Sequence, residues 1–174
     1  MTAVPNLPPR PLTLQDVTAL AEADDQHRFE LIEGNLIVMP PPTWGHQRIS
    51  LRLGMWLDQK FGERVGAAPG VKTANDDLNG RIPDVVVTTG DVRSDTVWMP
   101  AANVLLAVEI VSPGSERTDR WLKPVEYADA GIAHFWRVEP DETVVRFRLA
   151  DGVYIEAGKE PLDTLLDGEV PDLD

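Results

Sequence analysis

Glu109 stands near the end of the run Leu105-Leu106-Ala107-Val108-Glu109-Ile110-Val111. A near-continuous apolar run reads as a strand covered on both faces. An ionised carboxylate there is costly unless it is paired or bound to a metal. The competing reading is a Glu at the strand exit, solvated or salt-bridged, and Glu109 alone does not choose between them. Asp84 lies in Arg81-Ile82-Pro83-Asp84-Val85-Val86-Val87. Proline is tolerated at a strand start, so Asp84 opens an apolar β-branched run. It reads either as a strand-initiating acid bonded to backbone or as a metal ligand. Two carboxylates on neighbouring strands of one sheet can converge on a hard cation such as Mg²⁺, which prefers oxygen and keeps several waters. Beyond the second strand, Asp119 and Lys123 are spaced i,i+4 with the acid first. Spacing alone favours a surface ion pair of about 0.2–0.5 kcal/mol. The chemical alternative brings Lys123 back over the strand end, beside Asp84 and Glu109. There it could orient or deprotonate a water and stabilise a phosphorane-like transition state. Ser112, Ser115 and Thr118 are most simply turn and capping hydroxyls.

The elements that must hold these residues can be read along the chain. Residues 1–12 are proline-rich and read as an extended arm. Thr13 is a good N-cap for a short helix through Leu20 and Ala23. Phe29 to Ile32 and Asn35 to Met39 flank Gly34-Asn35, a hairpin signal. A second helix is expected over about 44–61, opened by Thr43 and carrying Ile49, Leu53, Trp56, Leu57 and Phe61 at helical spacing. A weak strand over 65–71, a strong one over 82–87 and a stronger one over 103–111 follow. A helix then ends near Ala130, with Gly131 as its stop signal. Three strands, 133–138, 143–149 and 153–155, precede an acidic tail over 156–174. The expected architecture is one mixed α+β domain over 13–155, built on a central mixed sheet flanked by helices.

Composition narrows the chemistry. The 174 residues contain no cysteine, so thiolate nucleophiles, disulfides and cysteine-ligated metals are excluded, in keeping with a cytoplasmic setting. No apolar run is long enough to span a bilayer. No phosphate-cradling glycine loop and no nucleophile elbow is present. The formal charge of −13 argues against a polyanionic partner. The distribution of that charge softens the argument. Residues 156–174 hold seven acids and one base, whereas residues 40–137 hold 12 acids and 11 bases. Nucleic-acid contact would be local to Arg48, Arg52, Arg117, Arg120 and Lys123. The five tryptophans read mainly as core or interface anchors, with Trp121 the exception beside the candidate site.

Asp84, Glu109 with Ser112, Pro113 and Ser115, then Asp119, Lys123 and Tyr127, then Gly131 and Phe135-Trp136 form a long ordered string. That string resembles the Uma-type family of bacterial endonucleases, in the PD-(D/E)XK restriction-endonuclease-like superfamily. The hairpin Phe29 to Gly34 followed by His46 is similar to it as well, and the match covers about residues 14 to 150. The resemblance implies a restriction-endonuclease-like core. It implies that Asp84 and Glu109 bind divalent metal, and that Lys123 is the catalytic lysine carried on the helix after the strand. Glu30 carries over as an accessory acid. Pro124 bears on this transfer, because proline pushes its predecessor away from αR. Either the helix begins at Pro124 with Lys123 at its cap, or Lys123 sits within the first turn and faces the site.

These readings converge on a metal-dependent nuclease acting on nucleic acid, DNA by the resemblance. Asp84, Glu109 and the Ile110 carbonyl would hold Mg²⁺ or Mn²⁺. His46, Ser112 and Asp119 are accessory candidates, and a homodimer would allow cutting of both strands. Two other classes compete: a non-catalytic regulatory or nucleic-acid-binding module that keeps the fold, and a protein-interaction module using the acidic tail.

Overall fold

A computed structural model describes residues 8–24 and 26–173. Thr13 opens α1 (Leu14–Ala23). Its hydroxyl accepts from the Asp16 amide, and the Asp16 carboxylate accepts the Thr13 N–H at 2.7 Å, a reciprocal capping box. The hairpin of β1 (Arg28–Ile32) and β2 (Asn35–Met39) turns on Glu33 and Gly34, both at positive φ. Two left-handed residues in succession are what a type I′ turn requires. Gly34 is constrained a second way, since a Cβ there would stand 2.5 Å from Pro11 Cβ. The Leu12 N–H donates to the Gly34 carbonyl at 2.9 Å, so this stretch of chain lies against the hairpin. Of the arm expected over 1–12, residues 1–7 lie outside the described residues.

The second helix, α2 (Trp44–Phe61), fills the span expected for it. Leu53, Trp56, Leu57 and Phe61 bury its inner face. The strand expected over 65–71 is two strands in different sheets, β3 (Val65–Ala67) and β4 (Gly70–Lys72). Ala68 at positive φ and Pro69 break the run. The strand expected over 82–87 is β6 (Val85–Thr88), which starts later, and the short β5 (Gly80–Arg81) precedes it. Pro83 lacks the N–H that a ladder needs, and the chain changes sheets there. After the short β7 (Trp98–Pro100) comes β8 (Val104–Ile110), buried at every position. A π-helix over Thr118–Leu122 runs straight into α3 (Lys123–Asp129), and Gly131 exits at positive φ. Then follow β9 (His134–Val138), β10 (Thr143–Ala150), β11 (Val153–Pro161) and α4 (Leu162–Asp167). Among the described residues no helix is long and apolar enough to cross a membrane.

The class is mixed α+β, with the strands divided between two sheets rather than gathered in one. The larger sheet has the order β11-β10-β9-β8-β6-β3 and the smaller β2-β1-β5-β4-β7. In the larger sheet β8 and β9 are parallel, which obliges the chain to cross over between them through α3. Alternation along β8 sends Leu106, Val108 and Ile110 into the core shared with α2 and α4, and Ala107 into the core shared with Tyr127 of α3. A third apolar cluster joins α1 to the hairpin through Leu14, Val17, Phe29 and Leu31.

The acidic segment departs from expectation. The boundary placed at residue 155 falls inside β11, and residues 156–173 are not a free tail. Leu162, Leu165 and Leu173 are buried in the main core, and the Trp56 indole N–H donates to the Gly168 carbonyl at 3.1 Å. Asp163 and Asp172 pair with Arg52 and Lys60 of α2. The high acid count hid a few leucines that are enough to bind the segment to the core.

Candidate active site

Strand register explains how Asp84 and Glu109 meet. β6 and β8 are antiparallel with Val85 opposite Val108. Just before β6 the Asp84 N–H donates to the Val108 carbonyl at 2.9 Å, which lays Asp84 alongside the end of β8 that carries Glu109. Glu109 alternates with Val108 and so points to the α3 side. The Asp84 carboxylate is held by the Ile110 N–H at 2.9 Å, His46 Nε2 at 3.0 Å and Arg28 Nη1 at 3.2 Å. Glu109 is held by Lys123 Nζ at 2.7 Å and by the Tyr127 hydroxyl at 2.5 Å, one on each oxygen.

Lys123 faces the site, and the π-helix explains how Pro124 permits it. Lys123 is αR despite the proline that follows, and its N–H bonds back to Thr118 O, five residues earlier. That wider turn comes just where the proline has no N–H to give. Lys123 is buried, and its ammonium also lies 3.3 Å from Asp119 and 3.4 Å from Glu30. The Asp119–Lys123 pair is therefore an interior contact rather than a surface one. Asp119 is held in turn by the Ser115 hydroxyl, which pairs with Ser112 at 3.0 Å. Ser112 thus reaches the cluster only through Ser115.

Three buried carboxyl groups, Glu30, Glu109 and Asp119, surround Lys123, and a fourth, Asp84, is near enough to feel its charge. Burial pushes Glu109 up, and the neighbouring Asp84, Asp119 and Glu30 add to that against the pull of Lys123, bringing it to about 8. Burial raises Asp119 as well. Burial alone would lower Lys123, but Glu109, Glu30 and Asp119 outweigh it and hold the ammonium charged well above its ordinary value. Burial likewise opposes ionisation of Asp84, yet His46 and the Ile110 N–H win and lower it. Glu30 is also lowered despite burial, by Lys123, Arg81 and the Ile82 N–H. At neutral pH the cluster therefore holds a proton on Glu109 and a positive charge on Lys123. In this arrangement the Lys123 ammonium is a hydrogen-bond donor to Glu109.

Several partners carried no signal in the sequence. Arg81 is buried and forks between Glu30 at 2.8 Å and Glu126 at 2.6 and 2.7 Å. Cross-strand register sets Glu30 beside Arg81, since Leu31 faces Gly80. Tyr127 packs on Phe135, as expected of a sheet-facing residue, and its bond to Glu109 is additional. Arg28 precedes the hairpin motif and showed nothing to distinguish it. Of the candidate nucleic-acid contacts, Arg52 is tied to Asp163 at 2.5 Å and Arg120 to Glu139 at 2.6 Å, while Arg48 and Arg117 are exposed. Trp56 and Trp136 are core residues 6.2 Å apart, whereas Trp44 and Trp121 are 79% and 72% exposed.

The donor set suits a hard cation. Carboxyl oxygens are the ligands such an ion prefers, and four carboxyl groups lie buried here, two of them with pKa raised by burial.

The chain also resembles known proteins. Residues 14–173 match the Uma2 family, described as "Putative restriction endonuclease". A crystal structure from Anabaena variabilis, described as "a putative nuclease belonging to DUF820", superposes with a TM-score of 0.62 at 21% identity. That match covers 86% of this chain and 83% of the other, a likeness of fold. No curated protein matches. With nearly its whole length matched, the chain belongs to the Uma2 family.

Proposed function

We propose that this protein is a metal-dependent endonuclease that hydrolyses phosphodiester bonds in DNA. The observation that carries the reading is the buried cluster in which Glu30, Glu109 and Asp119 ring Lys123, with the buried Asp84 beside them. Asp84, Glu109 and the Ile110 carbonyl would hold Mg²⁺ or Mn²⁺, completed by water. When bound, such an ion supplies Lewis acidity to phosphate oxygens and lowers the pKa of water. The chain's own groups do the rest. The Ile110 N–H and His46 fix the orientation of Asp84. Tyr127 fixes that of Glu109. Lys123 stays protonated and offers N–H donors to the negative charge that builds around phosphorus. Glu30 and Asp119 hold that ammonium in place. A homodimer would present two such sites to a duplex.

The test is conversion of supercoiled plasmid to nicked or linear form in Mg²⁺ or Mn²⁺. Asp84→Asn, Glu109→Gln and Lys123→Met should each slow it by about 10²–10³-fold. Full activity in both carboxylate variants would sink the assignment. One observation favours a second reading, a non-catalytic module that keeps the fold. Among the described residues no three or more His, Cys, Asp or Glu are grouped so as to hold a metal. Calorimetry decides between the two, since the module reading requires that Mn²⁺ binding be absent or indifferent to Asp84→Asn.

A further inference from the structure

Beside Asp84 a groove of about 510 Å³ runs between α2 and β3. Arg28, His46 and Ser50 lie at its inner end, where the first two touch the Asp84 carboxylate and Ser50 the Asp84 carbonyl. Its middle is built from small residues, Gly54 on the helix and Gly66 and Ala67 on the strand. A Cβ placed on Gly54 meets nothing within 4 Å, so the space before it is open. Leu51 and Met55 supply apolar walls and are 62% and 65% exposed. Asp58 also lines the groove, further along α2.

We propose that this groove seats one unstacked nucleotide of the substrate strand, its phosphate at Arg28 and its base against Leu51 and Met55. The inference rests on the nuclease reading above and adds to it that the strand must be single or locally opened. Arg28 reaches Asp84 through a single N–H at 3.2 Å and is 31% exposed, which leaves the rest of its fork for a phosphate. His46 gives Nε2 to the other Asp84 oxygen and so fixes the carboxylate beside Arg28. From His46 to Gly54 the helix rises about 12 Å, a span suited to a phosphate, its sugar and its base. Asp58 repels a second phosphate, so the groove accepts a base rather than a run of backbone. An aliphatic wall and an open floor suit a base face, which a duplex keeps stacked on its neighbours.

The experiment is binding of a short labelled single-stranded oligonucleotide, and of the same sequence as a duplex, to the full chain at low salt with Ca²⁺ in place of Mg²⁺. The unmodified protein should bind the single strand more tightly. Gly54→Leu fills open space and favours the helix, so it should fold normally and weaken single-strand binding about tenfold. Met55→Ala removes one wall at an exposed position and should weaken binding several-fold. Unchanged binding in both variants, or a duplex bound as tightly as the single strand, overturns the proposal. If plasmid cleavage is lost in Asp84→Asn while both groove variants bind as the unmodified protein does, the groove fails and the nuclease reading stands. If neither oligonucleotide binds and no cleavage occurs, both fail.

Discussion

Arg81 and Lys123 are both buried cations that touch Glu30, and they differ in how completely they are answered. Arg81 meets two carboxylates, and its planar fork bonds both at 2.6–2.8 Å. The result fastens β5, β1 and α3 to one another. Lys123 meets three carboxylates and bonds only Glu109 closely, with Asp119 and Glu30 at 3.3 and 3.4 Å. A compact ammonium cannot satisfy three acids at once. One side of Glu30 is therefore a finished structural joint, and on the other the acids outnumber the close hydrogen bonds that their lysine makes. Identical chemistry, a buried cation among buried acids, closes on one side and stays open on the other.

Removing the finished joint should have the largest effect. Arg81→Met leaves Glu30 and Glu126 without their partner and should cost about 3–5 kcal/mol in chemical denaturation. Arg81→Lys should rescue little, because the fork is lost. Lys123→Met should cost less at mildly acidic pH, since Glu109 and Asp119 can respond by holding protons. Equal losses from the Arg81 and Lys123 variants would erase the distinction between the two sides.

A smaller effect should appear in the pH dependence of stability. Glu109 binds its proton more tightly folded than unfolded. Its stabilising contribution is full below the ordinary carboxylate pKa and is lost as pH rises through about 8. Asp119 has the same sign. Glu30 and Asp84 have the opposite sign, and their contribution is lost as pH falls below the ordinary carboxylate pKa. Between about pH 5 and 8 the Glu109 contribution falls, with that of Asp119 added to it, while those of Glu30 and Asp84 are fully present. Its slope is at most about 1.4 kcal/mol per pH unit, or about 3–6 °C in melting temperature. Glu109→Gln should flatten the fall of melting temperature over that range. A fall that survives in the variant would place the proton elsewhere in the cluster.

The smallest effect belongs to the surface. Arg52 and Asp163 approach to 2.5 Å, but Asp163 is largely in water. A double-mutant cycle on that pair should return less than about 1 kcal/mol. A larger coupling would mean that closeness rather than burial sets the value of these ion pairs.

Local signals made much of this legible before the fold was known. The bounds of α2, the hairpin and β8 follow from apolar spacing, a turn pair and an unbroken apolar run. Asp84 and Glu109 stood out because carboxylates are costly inside apolar strands. What escaped depended on distant partners or weak patterns. Nothing near Arg81 points to Glu30, which is 51 residues away. β11 is exposed or half-exposed along its whole length and carries Glu156, Lys159 and Glu160, so it reads as loop. α4 is six residues long, with Leu162 and Leu165 as its buried contacts. The strand β7 has three residues and ends in Pro100, too short to show alternation.

The π-helix before α3 has a consequence for how this site tolerates insertions and deletions. Thr118–Leu122 holds one residue more than an α-turn would need, and this offsets the segment bearing Ser115 and Asp119 from the one bearing Lys123 and Tyr127. Deleting one residue between Asp119 and Lys123 would let an ordinary α-turn form and would change their spacing from i,i+4 to i,i+3, shifting the carboxylate against the ammonium although every side chain of the cluster was still encoded. Substitutions at this site change its ingredients, whereas a deletion in the π-turn changes its phase.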